Sequence, residues 1–297
     1  MRFKVQGIIS AMVTPFTKGG TYVDYDKVGP LAEWLVNWGA SGLFPCGTTG
    51  EGLLMSPDER KVVLEEIVQA VGKKTKVIAH TGALDTATTI ELTQHAQACG
   101  AYGAGVVAPG FYGYDDASLE RFYKTIANAV KGFPILLYNI PGCAKNVLTP
   151  ELVLRLAESV ENIVGIKDSS GNMANLTRMI GAAPKGFSVI NGEDGYGYQA
   201  LVAGAPAVVS GTSNVVLDLY KAVYDNVKKG NLKKAWQEQV RLERCTRIFQ
   251  YGRMAAIFKQ GLRLRGFDAG YVRPPQRELT PAEKKALAKG LKAEGLL

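Results

Sequence analysis

The chain has 297 residues, 46% of them hydrophobic, and a formal net charge of +8. This length fits one large α/β domain or two modest ones, and no apolar run is long enough to cross a bilayer as a helix. The basic excess collects late, in Lys228-Lys229, Lys233-Lys234 and from Arg241 to Arg253, without the interleaved aromatics of a nucleic-acid surface. Solvated helix faces are the plainer reading; drawing in an anionic substrate is the other.

The cysteines Cys46, Cys99, Cys143 and Cys245 stand far apart and form no C-x-x-C pair, which argues against a zinc ribbon or a redox motif. The basic start is soon interrupted by Gln6, Ser10, Thr14 and Pro15, so a reduced, cytoplasmic setting without a cleaved signal is expected. His80 and His95 are the only histidines, too little material for a His-based zinc site or a Ser-His-Asp hydrolase. His95 and Cys99 share a helical spacing, but two ligands do not make a site, and no metal is expected.

Short β-rich runs alternate with amphipathic stretches along the chain. Strands are expected at 7–16, 42–46, 76–82, 103–109, 134–141, 162–168, 187–192 and 206–211. Helical patterns lie between and after them at 24–38, 57–71, 86–99, 118–130, 150–159, 173–180, 196–203 and 216–229. Ser56-Pro57-Asp58-Glu59 reads as a helix start, with Pro at the first position and acids in the first turn; Thr149-Pro150-Glu151 and Thr280-Pro281-Ala282-Glu283 repeat the device. Eight strand–helix alternations with apolar strands predict a parallel sheet closed into a (β/α)8 TIM barrel over 1–230. Helical patterns at 231–265 and 281–297 form a C-terminal extension over 231–297.

In such a barrel the chemistry collects at the carboxyl ends of the strands. Strand two runs into Gly47-Thr48-Thr49-Gly50-Glu51, where backbone N–H groups and hydroxyls can converge on an anion; a plain Gly-rich turn is the other reading, and no Lys-Ser/Thr follows to make a Walker loop. Strand four is followed by Pro109-Gly110-Phe111-Tyr112-Gly113-Tyr114. Strand five ends in Tyr138-Asn139-Ile140-Pro141, a phenol at the barrel mouth that either relays protons or packs with its hydroxyl in water. Strand six carries Lys167, which either snorkels to water or sits desolvated, where an amine loses its proton more readily and attacks a ketone. Strand seven runs into Gly192-Glu193-Asp194, and strand eight into Ser210-Gly211-Thr212-Ser213.

Taken together, Gly47-Thr48-Thr49-Gly50-Glu51, Tyr138-Asn139-Ile140-Pro141 and Gly165-Ile166-Lys167-Asp168 resemble the dihydrodipicolinate synthase / N-acetylneuraminate lyase superfamily of class I pyruvate aldolases. The likeness runs over nearly the whole chain, including Val272-Arg273-Pro274-Pro275. It implies a Schiff base between Lys167 and pyruvate or a related 2-oxo acid, a carboxylate held by Gly47, Thr48 and Thr49, and proton transfer by Tyr138 with Thr48. It further implies Val209, Cys143, Gly192 and Glu193 as substrate-binding, no cofactor, an aldehyde as second substrate, and a homotetramer. An aromatic hydroxyl after strand four would complete the relay in a neighbouring subunit; Tyr112 takes that role, although Phe111 stands where Tyr is frequent in the family.

The chain departs from the synthase pattern at Cys143, where an Arg usually clamps the carboxylate of aspartate semialdehyde; a thiol makes no bidentate clamp, and Lys145 offers only a point charge. The 53–56 segment also lacks the histidines of lysine-inhibited enzymes. These departures rank a lyase of a 2-keto-3-deoxy sugar acid or 4-hydroxy-2-oxo acid first, the synthase second and the sialic-acid lyase third. Two readings come from other classes. Gly195-Tyr196-Gly197-Tyr198-Gln199-Ala200 fits a dinucleotide fingerprint, but the next strand ends without the required acid. A non-catalytic 2-oxo acid sensor needs neither Lys167 nor Tyr138.

Overall fold

The computed structural model describes residues 3–250 and 254–297. Its centre is a closed barrel of eight parallel strands in sequence order. These are β1 Gly7–Ser10, β2 Gly42–Leu43, β3 Lys76–His80, β4 Gly103–Val107, β5 Ile135–Asn139, β6 Ile163–Asp168, β7 Ser188–Asn191 and β8 Ala207–Ser210. Closure comes from β1 pairing with β8, Gly7 opposite Ala207 through Ser10 opposite Ser210.

Around the barrel run α1 Tyr25–Trp38, α2 Pro57–Val71, α3 Thr86–Ala98, α4 Asp116–Ala129, α5 Pro141–Ala144, α6 Pro150–Ser159, α7 Met173–Ala182, α8 Gly197–Ala203 and α9 Ser213–Lys228. The chain continues as α10 Leu232–Phe249, α11 Met254–Leu264 and α12 Pro281–Ala293. The start signals act as their chemistry requires. Ser56 and Glu59 form a reciprocal capping box on α2, Thr280 and Glu283 another on α12, and the Thr149 hydroxyl accepts from Leu152 N on α6.

Two apolar layers result. One lies between the sheet and its helices and includes Leu31, Ile67, Ile126 and Leu152. The other includes Ile9, Phe44, Ile78, Leu136, Tyr138 and Val209, drawn from alternate positions of several strands, as the two-residue period of a barrel demands.

The expected boundaries shift at several elements: strands two to four, expected at 42–46, 76–82 and 103–109, end at Leu43, His80 and Val107, and four further differences follow. The first strand stops at Ser10, although Ala11 N still donates to Ser210 O and Met12 N to Phe44 O, and Phe16 makes only isolated antiparallel bridges with Val23 and Tyr271. The fourth helix begins at Asp116, two residues early, since the Asp115 carboxylate caps it by accepting from Ser118 N. The last barrel helix begins at Ser213 and is kinked at Val216. The fifth strand, expected over 134–141, ends at Asn139, and Pro141 opens the four-residue α5.

Candidate active site

Strand register brings the first two chemical groups together. Lys167 of β6 lies opposite Tyr138 of β5 on one side and Ile190 of β7 on the other. Both side chains are buried, Lys167 at 5% exposure and Tyr138 at 1%. The Lys167 Nζ stands 3.7 Å from the centre of the Tyr138 ring and 4.6 Å from that of Phe44. The Lys167 side chain is therefore buried with its Nζ held against two π faces.

The third group arrives on a turn. Thr48 Oγ1 lies 3.4 Å from the Tyr138 hydroxyl. The turn that carries it is closed by Glu51 N donating to Thr48 O at 3.2 Å and Gly52 N to Gly47 O at 3.1 Å, and the Thr14 hydroxyl donates to Gly50 O at 2.7 Å. It is tightly wound. Cys46 and Glu51, on either side of its tip, are both left-handed at φ 58° and 57°, and a Cβ on Gly52 would stand 1.7 Å from Cys46 O.

A cleft of ≈ 340 Å³ opens over this group, and Thr48, Thr49, Tyr138, Lys167, Gly192, Glu193 and Val209 all line it. Gly47 and Cys143 line a second cavity of ≈ 340 Å³, which meets the first at Thr48 and Ile140. Tyr112 lines neither cavity; it is 65% exposed, and its ring packs edge-on against Phe111 at 4.9 Å.

The two cavities differ in electrostatics. Burial, and then the charge of Asp194, push the Glu193 carboxyl up. Burial also raises Asp194, although Tyr220 Oη donates to its Oδ1 at 2.9 Å and Thr212 N to its Oδ2 at 3.2 Å. Asp168, just after the lysine, is raised by burial while accepting from Asn139 Nδ2 at 2.8 Å and Ser170 N at 3.1 Å. In the second cavity, burial pushes the Cys143 thiol up against the opposing pull of Lys167. His80 is held well below its ordinary value by burial, then by the charges of Arg60 and Lys167. Its Nδ1 lies 2.9 Å from Cys46 O and 3.3 Å from Arg60 Nη2.

Sequence reasoning missed three contributors. Phe44 precedes the Thr turn and supplies one of the π faces around the amine. His80 reaches the second cavity from the end of β3, and its ring meets Tyr138 at 5.8 Å. Phe258 of α11 lines the first cleft from far along the chain, where no local motif marks it.

Comparison with known proteins agrees with this arrangement. The profile of the dihydrodipicolinate synthetase family matches residues 4–294. The chain belongs to that family. It is 35% identical over 290 residues to the 4-hydroxy-tetrahydrodipicolinate synthase of Symbiobacterium thermophilum, covering 98% of each chain. Among solved structures, dihydrodipicolinate synthase from Aquifex aeolicus superposes with a TM-score of 0.93 at 31% identity, over 98% of this chain and 99% of that one. YagE of E. coli K12, a dihydrodipicolinic acid synthase family protein solved with pyruvate, gives a TM-score of 0.94 at 30% identity and the same coverage. As a family member the chain is an enzyme of the class I, Schiff-base aldolase type, making or breaking a carbon–carbon bond between pyruvate and an aldehyde. Among the described residues no helix is long and apolar enough to cross a membrane.

Proposed function

We propose that this dihydrodipicolinate synthetase family member cleaves a 4-hydroxy-2-oxo acid, of the 2-keto-3-deoxy sugar acid kind, to pyruvate and a neutral hydroxylated aldehyde, and runs the reverse addition. The observation that carries this is the Lys167 amine packed on the Tyr138 ring, with the Tyr138 hydroxyl beside Thr48.

Lys167 Nζ attacks C2 of the 2-oxo acid, water leaves, and an iminium forms. The Tyr138 oxygen takes the proton of the C4 hydroxyl as its own proton passes to Thr48 Oγ1 and that of Thr48 to solvent, a relay that runs back when C3 is reprotonated; the C3–C4 bond breaks, and its electrons pass into the iminium to give an enamine. The aldehyde leaves, C3 is reprotonated through Tyr138, and water releases pyruvate from Nζ. Thr48 and Thr49 hold the carboxylate with the backbone of the turn at Gly47, and Thr48 steadies the phenol. Gly192, Val209 and Glu193 border the space left for the rest of the substrate.

Glu193 supports the choice of a neutral, hydroxylated distal half. Lys167 is the only Lys or Arg in the lining of this cleft among the described residues, and Glu193 brings an acid. A second carboxylate on the substrate would face that acid unpaired, whereas hydroxyls would donate to it. The names of curated relatives favour a second reading, condensation of pyruvate with aspartate semialdehyde by a 4-hydroxy-tetrahydrodipicolinate synthase. Cys143 weighs against it, because a neutral thiol cannot clamp that carboxylate; Lys145 Nζ is turned to Phe111 O at 3.5 Å. A sialic-acid lyase ranks third.

We further assign Tyr112 to a neighbouring subunit's relay within a cytoplasmic homotetramer. Its exposure beside Phe111 leaves the phenol free to reach out of its own chain. The proposed division keeps 1–230 as the barrel and 231–297 as the extension. Borohydride added with pyruvate is expected to fix a pyruvate-derived mass on Lys167, located by peptide mapping; an unchanged mass overturns the Schiff-base reading.

A further inference from the structure

The turn that carries Thr48 and Thr49 is tied to the C-terminal extension by a buried charge pair. Glu51, its last residue, places Oε1 2.6 Å from Lys259 Nζ of α11, and the two side chains are 0% and 2% exposed. They lie 208 residues apart in sequence. Each partner makes one further hydrogen bond. Arg273 N donates to Glu51 Oε2 at 2.9 Å, and Lys259 Nζ donates to Tyr271 O at 2.5 Å.

Arg273 completes the tie from outside. Its guanidinium grips both oxygens of Glu59 at 2.7 and 2.8 Å and also donates to Leu54 O at 3.1 Å, just beyond the turn. The Lys259 Nζ and the Arg273 guanidinium lie 4.6 and 4.4 Å from the ring centre of the buried Phe16. The residue before Lys259, Phe258, lines the catalytic cleft. One turn of α11 thus supplies both a wall of the cleft and the anchor of the turn facing it.

A buried pair is a poor way to gain stability alone, because apolar residues of similar volume often do as well or better. Its use lies in direction. The Glu51 backbone is left-handed without being glycine, a conformation that persists only where the surroundings over-determine it. We propose that Glu51 and Lys259 are positioning residues, whose ion pair holds the 47–51 turn in the wound state that presents Thr48 and Thr49 to the substrate carboxylate. The functional half of this rests on the proposed pyruvate chemistry; the anchoring half does not.

The double variant E51L/K259M keeps the volume and removes both charges, so it is expected to fold. Its circular dichroism spectrum should match that of the parent. Amide exchange at residues 47–52 should quicken by about tenfold or more while β5 and β6 stay protected, since only the anchored segment loosens. The pyruvate KM should rise by about tenfold, with kcat changed less than about threefold, the pattern of lost binding rather than lost chemistry. If E51L/K259M does not fold, E51Q, which keeps the shape of the side chain, is measured in the same way and carries the same expectations. Exchange at 47–52 within about twofold of the parent overturns the anchor. Faster exchange with an unchanged pyruvate KM overturns the positioning role. Should the parent protein fail to trap pyruvate on Lys167, the aldolase reading falls while the exchange measurement still decides the anchor.

Discussion

The two cavities at the barrel mouth are of equal volume and touch at Thr48 and Ile140, yet their walls differ in kind. The one over Lys167 adds Ser169, Glu193, Thr212, Thr246 and Gln250 from the second half of the chain to apolar walls that include Val209, Phe249 and Phe258. The other draws Leu53, Leu54, Ala83, Leu84, Val107 and Ala144 from the first half and is largely apolar, with Cys143 and a neutral His80 in its wall. Lys167 lines only the former, the cavity that carries the polar groups. Lys167 and Tyr138 thus stand on the Glu193 side, and Thr48 and Ile140 join the two cavities.

The largest effect is expected beside Lys167. Y138F keeps the ring beside the amine and removes the hydroxyl, so kcat should fall by roughly 10²–10⁴-fold while borohydride still traps pyruvate on Lys167. Loss of trapping to the same degree would give the phenol a part in forming the iminium instead. Next in size is the polar cavity. E193Q should raise the KM for a polyhydroxylated substrate about tenfold, or about 1.4 kcal/mol, and leave pyruvate trapping unchanged. An unchanged KM removes Glu193 from the recognition of hydroxyls.

The apolar cavity should respond in the opposite sense. C143R places a guanidinium where a carboxylate clamp would stand, so condensation with aspartate semialdehyde should rise several-fold, about 1 kcal/mol of new binding. If that activity does not move, position 143 does not divide the two substrate classes. The smallest effect is on stability. Burial, helped by Arg60 and Lys167, holds His80 neutral in the folded chain well below the ordinary value of 6.5. The unfolded chain takes up a proton near that value and the folded chain does not, so stability falls as the pH drops below about 6.5, by up to about 1.4 kcal/mol per pH unit from this residue. H80Q should remove that slope in urea melts taken between pH 6.5 and pH 5, and an unaltered slope would show that His80 titrates in the folded state.

The barrel was legible because its signals are local. Alternating apolar strands, Pro-led helix starts at Ser56, Thr149 and Thr280, and Gly-rich strand ends each act within a few residues. The lysine, the phenol and the threonine turn were legible for the same reason, since strand ends converge once the barrel closes. The fourth helix moved through a single group, an early cap at Asp115.

What the tertiary structure alone decided are contacts between distant positions. Sequence fixes which residues stand at the ends of strands, because periodicity and caps are short-range properties of the chain. It carries no signal that Phe258 lines the cleft over Lys167, that Lys259 is paired with Glu51, or that Cys143 lies in a different cavity from Glu193. Those depend on how helices pack across the barrel mouth, where side chains far apart in the chain meet only after the fold has closed.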